Sequence, residues 1–119
     1  MSDTSKTFVH PKTGDEFEIE PLSPARMTTI LRRLKTQGIS VTDETRKEMS
    51  TSTEFNNAVC RECLLLVKRK TPDGSLREAA PKEREKLLGS AWNLLAWIAN
   101  QAAAYQQEIE REFEVDAGN

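Results

Sequence analysis

Cys60 and Cys63 stand three apart in "NAVCRECLLLVK", the spacing of a redox dithiol or of half a zinc site. A tetrahedral zinc site takes about four ligands, and His10 is the only histidine beside these two cysteines. A redox pair sits just ahead of a helix, where the positive end of the helix lowers the thiol pKa. Here both cysteines fall inside a helical pattern, so they read as core thiols. No metal ligand and no cofactor-binding residue is assigned.

The remaining reactive side chains are sparse. His10 lies in a turn beside Pro11, and a nucleophile needs a positioned base that nothing in the pattern supplies. Glu18 and Glu20 fall on one face of a short alternating stretch and are expected in water. The single glycines form no phosphate-cradling loop. No catalytic residue is assigned, and the chain reads as a non-enzyme.

Nucleic acid is the next possibility. Residues 26–49 contain a basic helix, Gly38 in a turn and a short second segment, the outline of a helix-turn-helix. The second segment, "TDETRKEM", sets Asp43, Glu44 and Glu48 against Arg46 and Lys47, whereas a recognition helix needs cations that reach base edges. The net charge of −2 and acidic isoelectric point also lack the excess a general nucleic-acid binder carries. A small DNA-binding regulator using 26–49 is therefore the alternative reading.

The elements that would position these groups follow from the hydrophobic pattern. Thr7 to Val9 and Asp15 to Glu20 are expected to pair as a hairpin over 7–20. "HPKTGD" turns between them, with Pro11 for a fixed φ and Gly14 for a positive one. In "DEFEIE", Phe17 and Ile19 alternate with glutamates, as in a half-buried strand. A hairpin alone is barely stable, so it must rest on helices or extend another sheet. Ser23 and Pro24 then cap and open a helix. Met27, Ile30, Leu31 and Leu34 line its apolar face, Arg26, Arg32, Arg33 and Lys35 make its exposed side basic, and Gly38 ends it.

Thr42 or Asp43 is expected to cap a short helix to Met49. Ser52 or Thr53 starts the next, with Phe55, Val59, Cys63 and Leu66 at helical spacing. Lys68, Arg69 and Lys70 finish that helix at the negative end of its dipole. "TPDGS" is a turn. A final helical stretch runs from Pro81 to about Phe113. Gly89 divides it, with Ser90 as a possible new cap.

On this last stretch Trp92, Leu95, Ala99, Ala102, Gln106, Ile109 and Phe113 occupy successive heptad a and d positions. Leu94, Trp97, Ile98 and Tyr105 widen the stripe. Beyond Tyr105 only Ile109 and Phe113 are large and apolar, within an acidic run of Glu108, Glu110, Glu112, Glu114 and Asp116. Such a helix is too long for the core of a 119-residue chain to cover. Its distal half reads either as the frayed acidic end of a core helix or as an element that packs on another subunit or grips a partner helix.

The fold class is thus mainly α with a small N-terminal hairpin, in one domain. A loose tail is expected over 1–6, a helical body over 24–114 and a second tail over 115–119. The N-terminus is polar, and no stretch approaches the about 18 apolar residues of a membrane span. The chain is expected in the cytoplasm, with no membrane partner.

In layout, and specifically in "FEIEPLSPARM" from Phe17 to Met27, the chain resembles the small tail assembly chaperones of long-tailed bacteriophages. Those begin with a short β segment ending in an F-x-I-x-P-L phrase, followed at once by a helix and a mostly helical body. The resemblance implies a non-enzymatic role in the bacterial host cytoplasm. Such proteins bind the helix-rich tape-measure protein, keep it soluble and help tail-tube subunits assemble around it. Many also have a longer form made by translational frameshifting. On this reading the chain self-associates, and Trp97, Tyr105, Ile109 and Phe113 are the partner-binding residues, acting as apolar anchors. A structural virion or adaptor protein using the same helical surface is a further alternative.

Overall fold

The computed structural model describes residues 5–39 and 53–117, with side chains of the last helix described to Phe113. The hairpin forms as expected: β1 (Lys6–Val9) pairs antiparallel with β2 (Glu16–Ile19). Gly14 supplies the turn with φ of 76°. The Gly14 N–H donates to the His10 carbonyl at 2.9 Å, and the His10 N–H to that of Asp15 at 2.8 Å.

The helix α1 (Pro24–Thr36) is capped at both ends by its sequence. The Arg26 N–H donates to Ser23 Oγ at 3.3 Å. At the other end Gly38 takes φ of 83°. Its N–H reaches the Lys35 carbonyl at 3.0 Å, and the Ile39 N–H reaches that of Leu34 at 2.9 Å. This double closure is the Schellman pattern, and Ile39 packs on the core that holds Leu34. The expected helix from Thr42 or Asp43 to Met49 lies outside the described residues, as do Ser52 and the ends of both expected tails.

The next segment departs from expectation. The helix α2 (Thr53–Cys63) stops at Cys63, and Leu64–Lys70 forms a strand, β3. A short continuous apolar run does not distinguish a buried strand from a buried helix turn by periodicity. What decides here is pairing: Phe17 faces Val67 and Ile19 faces Leu64 across the β2–β3 ladder. The Glu20 N–H donates to the Cys63 carbonyl at 2.8 Å, tying the end of α2 to β2. "TPDGS" turns as expected, with Gly74 at φ of 89°, and returns the chain as a further strand, β4 (Leu76–Glu78).

The result is a four-stranded antiparallel sheet in the order β1-β2-β3-β4, where a lone hairpin was expected. The chain is mixed α/β and mostly helical among its described residues. Phe8, Phe17, Ile19, Leu64 and Val67 point to the helical side. Thr7, Val9, Glu16, Glu18, Leu66, Lys68 and Glu78 share the other face, and none of them is buried. One covered and one wet face is the usual condition of an antiparallel sheet.

After β4 come α3 (Pro81–Leu88) and α4 (Trp92–Ala117). Gly89 does divide the two. Ser90 is not the new cap: its hydroxyl donates back to the Leu87 carbonyl at 2.8 Å. The Leu94 N–H instead reaches the Ala91 carbonyl at 3.2 Å. The core joins Ile30 and Leu34 of α1, Val59, Cys60 and Cys63 of α2, and Leu94, Leu95, Ile98, Ala99 and Ala102 of α4 to the inner face of the sheet.

Candidate interaction surface

Each chemically suggestive side chain has a structural position. Cys60 and Cys63 are free and fully buried in the last turn of α2. Burial pushes both thiols up to about 12, because the thiolate would lose its hydration. For Cys60 the neighbouring Cys63 adds to the rise. The Cys60 thiol points at the Leu95 carbonyl, 3.7 Å away. A pair at the C-terminal end of a helix and inside a core lacks the electropositive, accessible setting of a reactive thiol.

His10 stacks at a tilt against Trp97, with ring centroids 4.9 Å apart, and its Nδ1 accepts the Lys12 N–H at 3.2 Å. It is a packing and turn residue. Glu18 and Glu20 are not both in water. Glu18 accepts from Ser5 Oγ at 2.7 Å, and Glu20 is 7% exposed and ion-paired with Arg26. The alternation of the strand ends at Ile19, so Glu20 turns inward, where only a cation makes its burial tolerable.

The basic side of α1 is partly committed within the chain. Arg33 holds Glu62 at 2.8 Å, and Arg26 holds Glu20. The second segment of the helix-turn-helix reading lies outside the described residues.

The four anchors assigned on α4 do not form one free stripe. Trp97 is half-buried and meets Phe17 and His10. Tyr105 is half-buried and stands edge-on to Phe8 at 6.3 Å. Ile109 is half-buried, and Phe113 is 69% exposed. The proximal two are thus engaged by the sheet, while Phe113 stands in water with Glu110 and Glu112 exposed beside it. Trp92, an a position of the stripe, is 77% exposed at the first residue of α4. The break at Gly89 signals this: a helix that restarts there puts Trp92 in its first turn, ahead of the buried Leu94 and Leu95.

One feature was not legible as a surface. A groove of about 580 Å³ opens between β3 and α3, walled by Arg33, Arg61 and Arg84 with Leu65, Glu78 and Glu85. Arg61 makes a bidentate pair with Glu85, at 3.1 and 3.2 Å. This pair holds the Glu85 carboxyl below its ordinary range, chiefly through hydrogen bonding. Arg84 donates to the carbonyls of Leu64 and Leu65 at 2.6 and 3.0 Å.

Among the described residues no group of three or more potential metal ligands gathers. No described helix is long and apolar enough to cross a membrane. The arrangement offers apolar and ionic contact surface: two exposed aromatic side chains on α4 and a groove walled by arginine. Comparison of the chain with protein-family models, with curated proteins and with solved structures found no match.

Proposed function

We propose that this chain is a non-enzymatic tail assembly chaperone of a long-tailed phage or prophage, which binds the tape-measure protein and assists tail-tube assembly. The observation that carries the reading is α4. At about 1.5 Å per residue, its 26 residues reach about 39 Å. The proximal turns bury Leu94, Leu95, Ile98 and Ala102, while the distal turns present Phe113 among exposed glutamates. A tape-measure chain shows long apolar helical stripes before assembly, and a projecting helix with an aromatic anchor and a charged surround can cover them by helix-to-helix contact. Modest contacts suit a partner that tube subunits later displace.

The resemblance over "FEIEPLSPARM" supports the same reading, and those residues have a physical task. Phe17 and Ile19 are core residues of β2, and Ser23 and Pro24 open α1. The test is co-expression with the product of the long, coil-rich reading frame encoded downstream. The expected result is a soluble complex that depends on α4 beyond Ala104. A tape-measure product equally soluble with and without this chain, or the absence of such a frame beside a tube-protein frame, overturns the proposal.

A further inference from the structure

We propose that the arginine-walled groove between β3 and α3 receives the distal turns of α4 from a second copy of this chain. Leu65 lines the groove together with Leu66, Val67 and Leu88. The β2–β3 register shifts between Glu18 and Ile19, leaving Leu65 as the extra residue of a bulge. Bulges re-aim side chains, and β4 pairs only with Lys68–Lys70, so Leu65 lies on a stretch of β3 that no further strand covers and is 40% exposed. Arg33 and Arg61 already hold Glu62 and Glu85. Arg84 spends its hydrogen bonds on backbone carbonyls, and among the described residues no carboxylate comes within ion-pairing distance of it.

The complementary element is the end of α4. Phe113 is exposed, Ile109 and Glu110 lie on its face of the helix one turn back, and Glu112 adjoins it. An aromatic anchor beside carboxylates matches Leu65 beside guanidinium groups: Arg33, Arg61 and Arg84 outnumber Glu78 and Glu85 in the groove, and Glu110 and Glu112 outnumber Arg111 on the tail.

The occupant has to come from another copy. Glu108 of α4 is held by Lys6 at 3.5 Å, which places the distal helix at the β1 edge of the sheet. The groove lies at the opposite edge, beside β3 and the chain leaving β4. Two strand spacings of about 4.8 Å separate β1 from the Leu65 stretch of β3, and a continuous helix cannot fold back across them. Donor and acceptor are therefore different patches of one surface, so the contact is either exchanged reciprocally in a two-fold dimer or repeated head to tail in a ring or filament.

The inference rests on the reading of α4 as a contact element. It is tested on the pure chain, so it can fail while tape-measure capture succeeds, and the reverse. Two full-length variants suffice, both checked for an unchanged circular dichroism spectrum: Phe113→Ala, which keeps the groove, and Leu65→Glu, which keeps the tail. If Leu65→Glu does not fold, Arg61→Glu at an exposed ion pair replaces it. In sedimentation velocity the unaltered chain should form dimers or larger species that dissociate as salt rises. Each variant alone should associate at least about thirtyfold more weakly. Mixed together, the two should form a one-to-one heterodimer, because the groove of the first accepts the tail of the second. A monomeric unaltered chain, a groove variant that still self-associates, or a mixture that stays monomeric overturns the proposal.

Discussion

Trp97 of α4 stands edge-on to Phe17 of β2, with ring centroids 5.4 Å apart and planes at 64°. This contact is where the long helix is fastened to the sheet, and His10 closes its open side. Trp97 therefore serves the fold. Replacing it with Ala should cost about 2–4 kcal/mol, since a half-buried indole and its ring contacts are lost. Phe113→Ala should stay within about 0.5 kcal/mol, as expected for an exposed side chain. Chemical denaturation of the two variants side by side measures the contrast, and equal losses would show that Phe113 is also part of the monomer core.

The cysteine pair gives a prediction in pH. Burial holds both thiols up at about 12 in the folded chain, well above the ordinary thiol range. A raised folded pKa means that the unfolded chain ionises first. The stability these groups hold is complete below about pH 9 and is lost as pH rises toward 12. Alkaline melts should therefore fall more steeply for the native sequence than for the double variant Cys60→Ala, Cys63→Ala. At neutral pH the folded chain should react slowly with a thiol reagent, and the double variant should lose about 1–3 kcal/mol through packing alone. Rapid labelling before unfolding would contradict this burial.

Much of the fold is legible in sequence where a local device fixes it. Ser23 before Pro24, Gly38 in the last-turn closure, Gly14 and Gly74 in their turns, and the alternation at Phe17 and Ile19 each act within a few residues. The segment Leu64–Lys70 is legible only through its partner. "LLLVKRK" satisfies a helix face as well as a strand, and the choice is made by Phe17 and Ile19 far away in sequence. The same non-local pairing creates the bulge at Leu65, so the groove could not be read from spacing. On α4 the heptad stripe identified the apolar residues but not their consumption: Trp97 and Tyr105 meet rings of the hairpin, and Phe113 meets none among the described residues.

Asp15 should prove to be the most costly polar substitution. It is 4% exposed and accepts from Arg69 Nε at 3.0 Å and from the Lys70 N–H at 2.8 Å. Asp15→Ala would leave that N–H without its acceptor. Arg69 would keep only Glu83, at 3.5 Å. A loss of about 2–3 kcal/mol is expected. Asp15→Asn should recover part of it by restoring the acceptor to Lys70, a difference that urea titrations can resolve.

Gly14 tests the hairpin turn. Its φ is 76°, and an added Cβ would lie 2.7 Å from Cδ of Lys70. The lysine stem can swing aside, but the left-handed backbone remains strained for any L side chain. Gly14→Ala should therefore cost about 1–2 kcal/mol. The double variant with Lys70→Ala should still lose most of that amount, because strain and not collision dominates.

Truncation after Ala104 should leave a folded chain. It removes the Tyr105–Phe8 ring contact and the Lys6–Glu108 pair. The first is worth about 1 kcal/mol, and the second, exposed at both ends, very little. Thermal melting should fall only slightly, and a wholly unfolded product would mean that the distal turns support the core.

The central ladder has a bearing on synthesis. β2 and β3 come from opposite halves of the chain, so a ribosome releases the N-terminal hairpin long before its neighbour exists. During that interval Phe17 and Ile19 face water and one edge of β2 offers unpaired backbone groups, the state in which strands join strands of other chains. Glu16 and Glu18 flank those two residues, and their charge opposes such pairing between nascent copies. The glutamates written between the apolar residues of this strand thus guard the polypeptide while it waits for β3, and once Lys68 arrives opposite Glu16 the same charge becomes a favourable cross-strand neighbour.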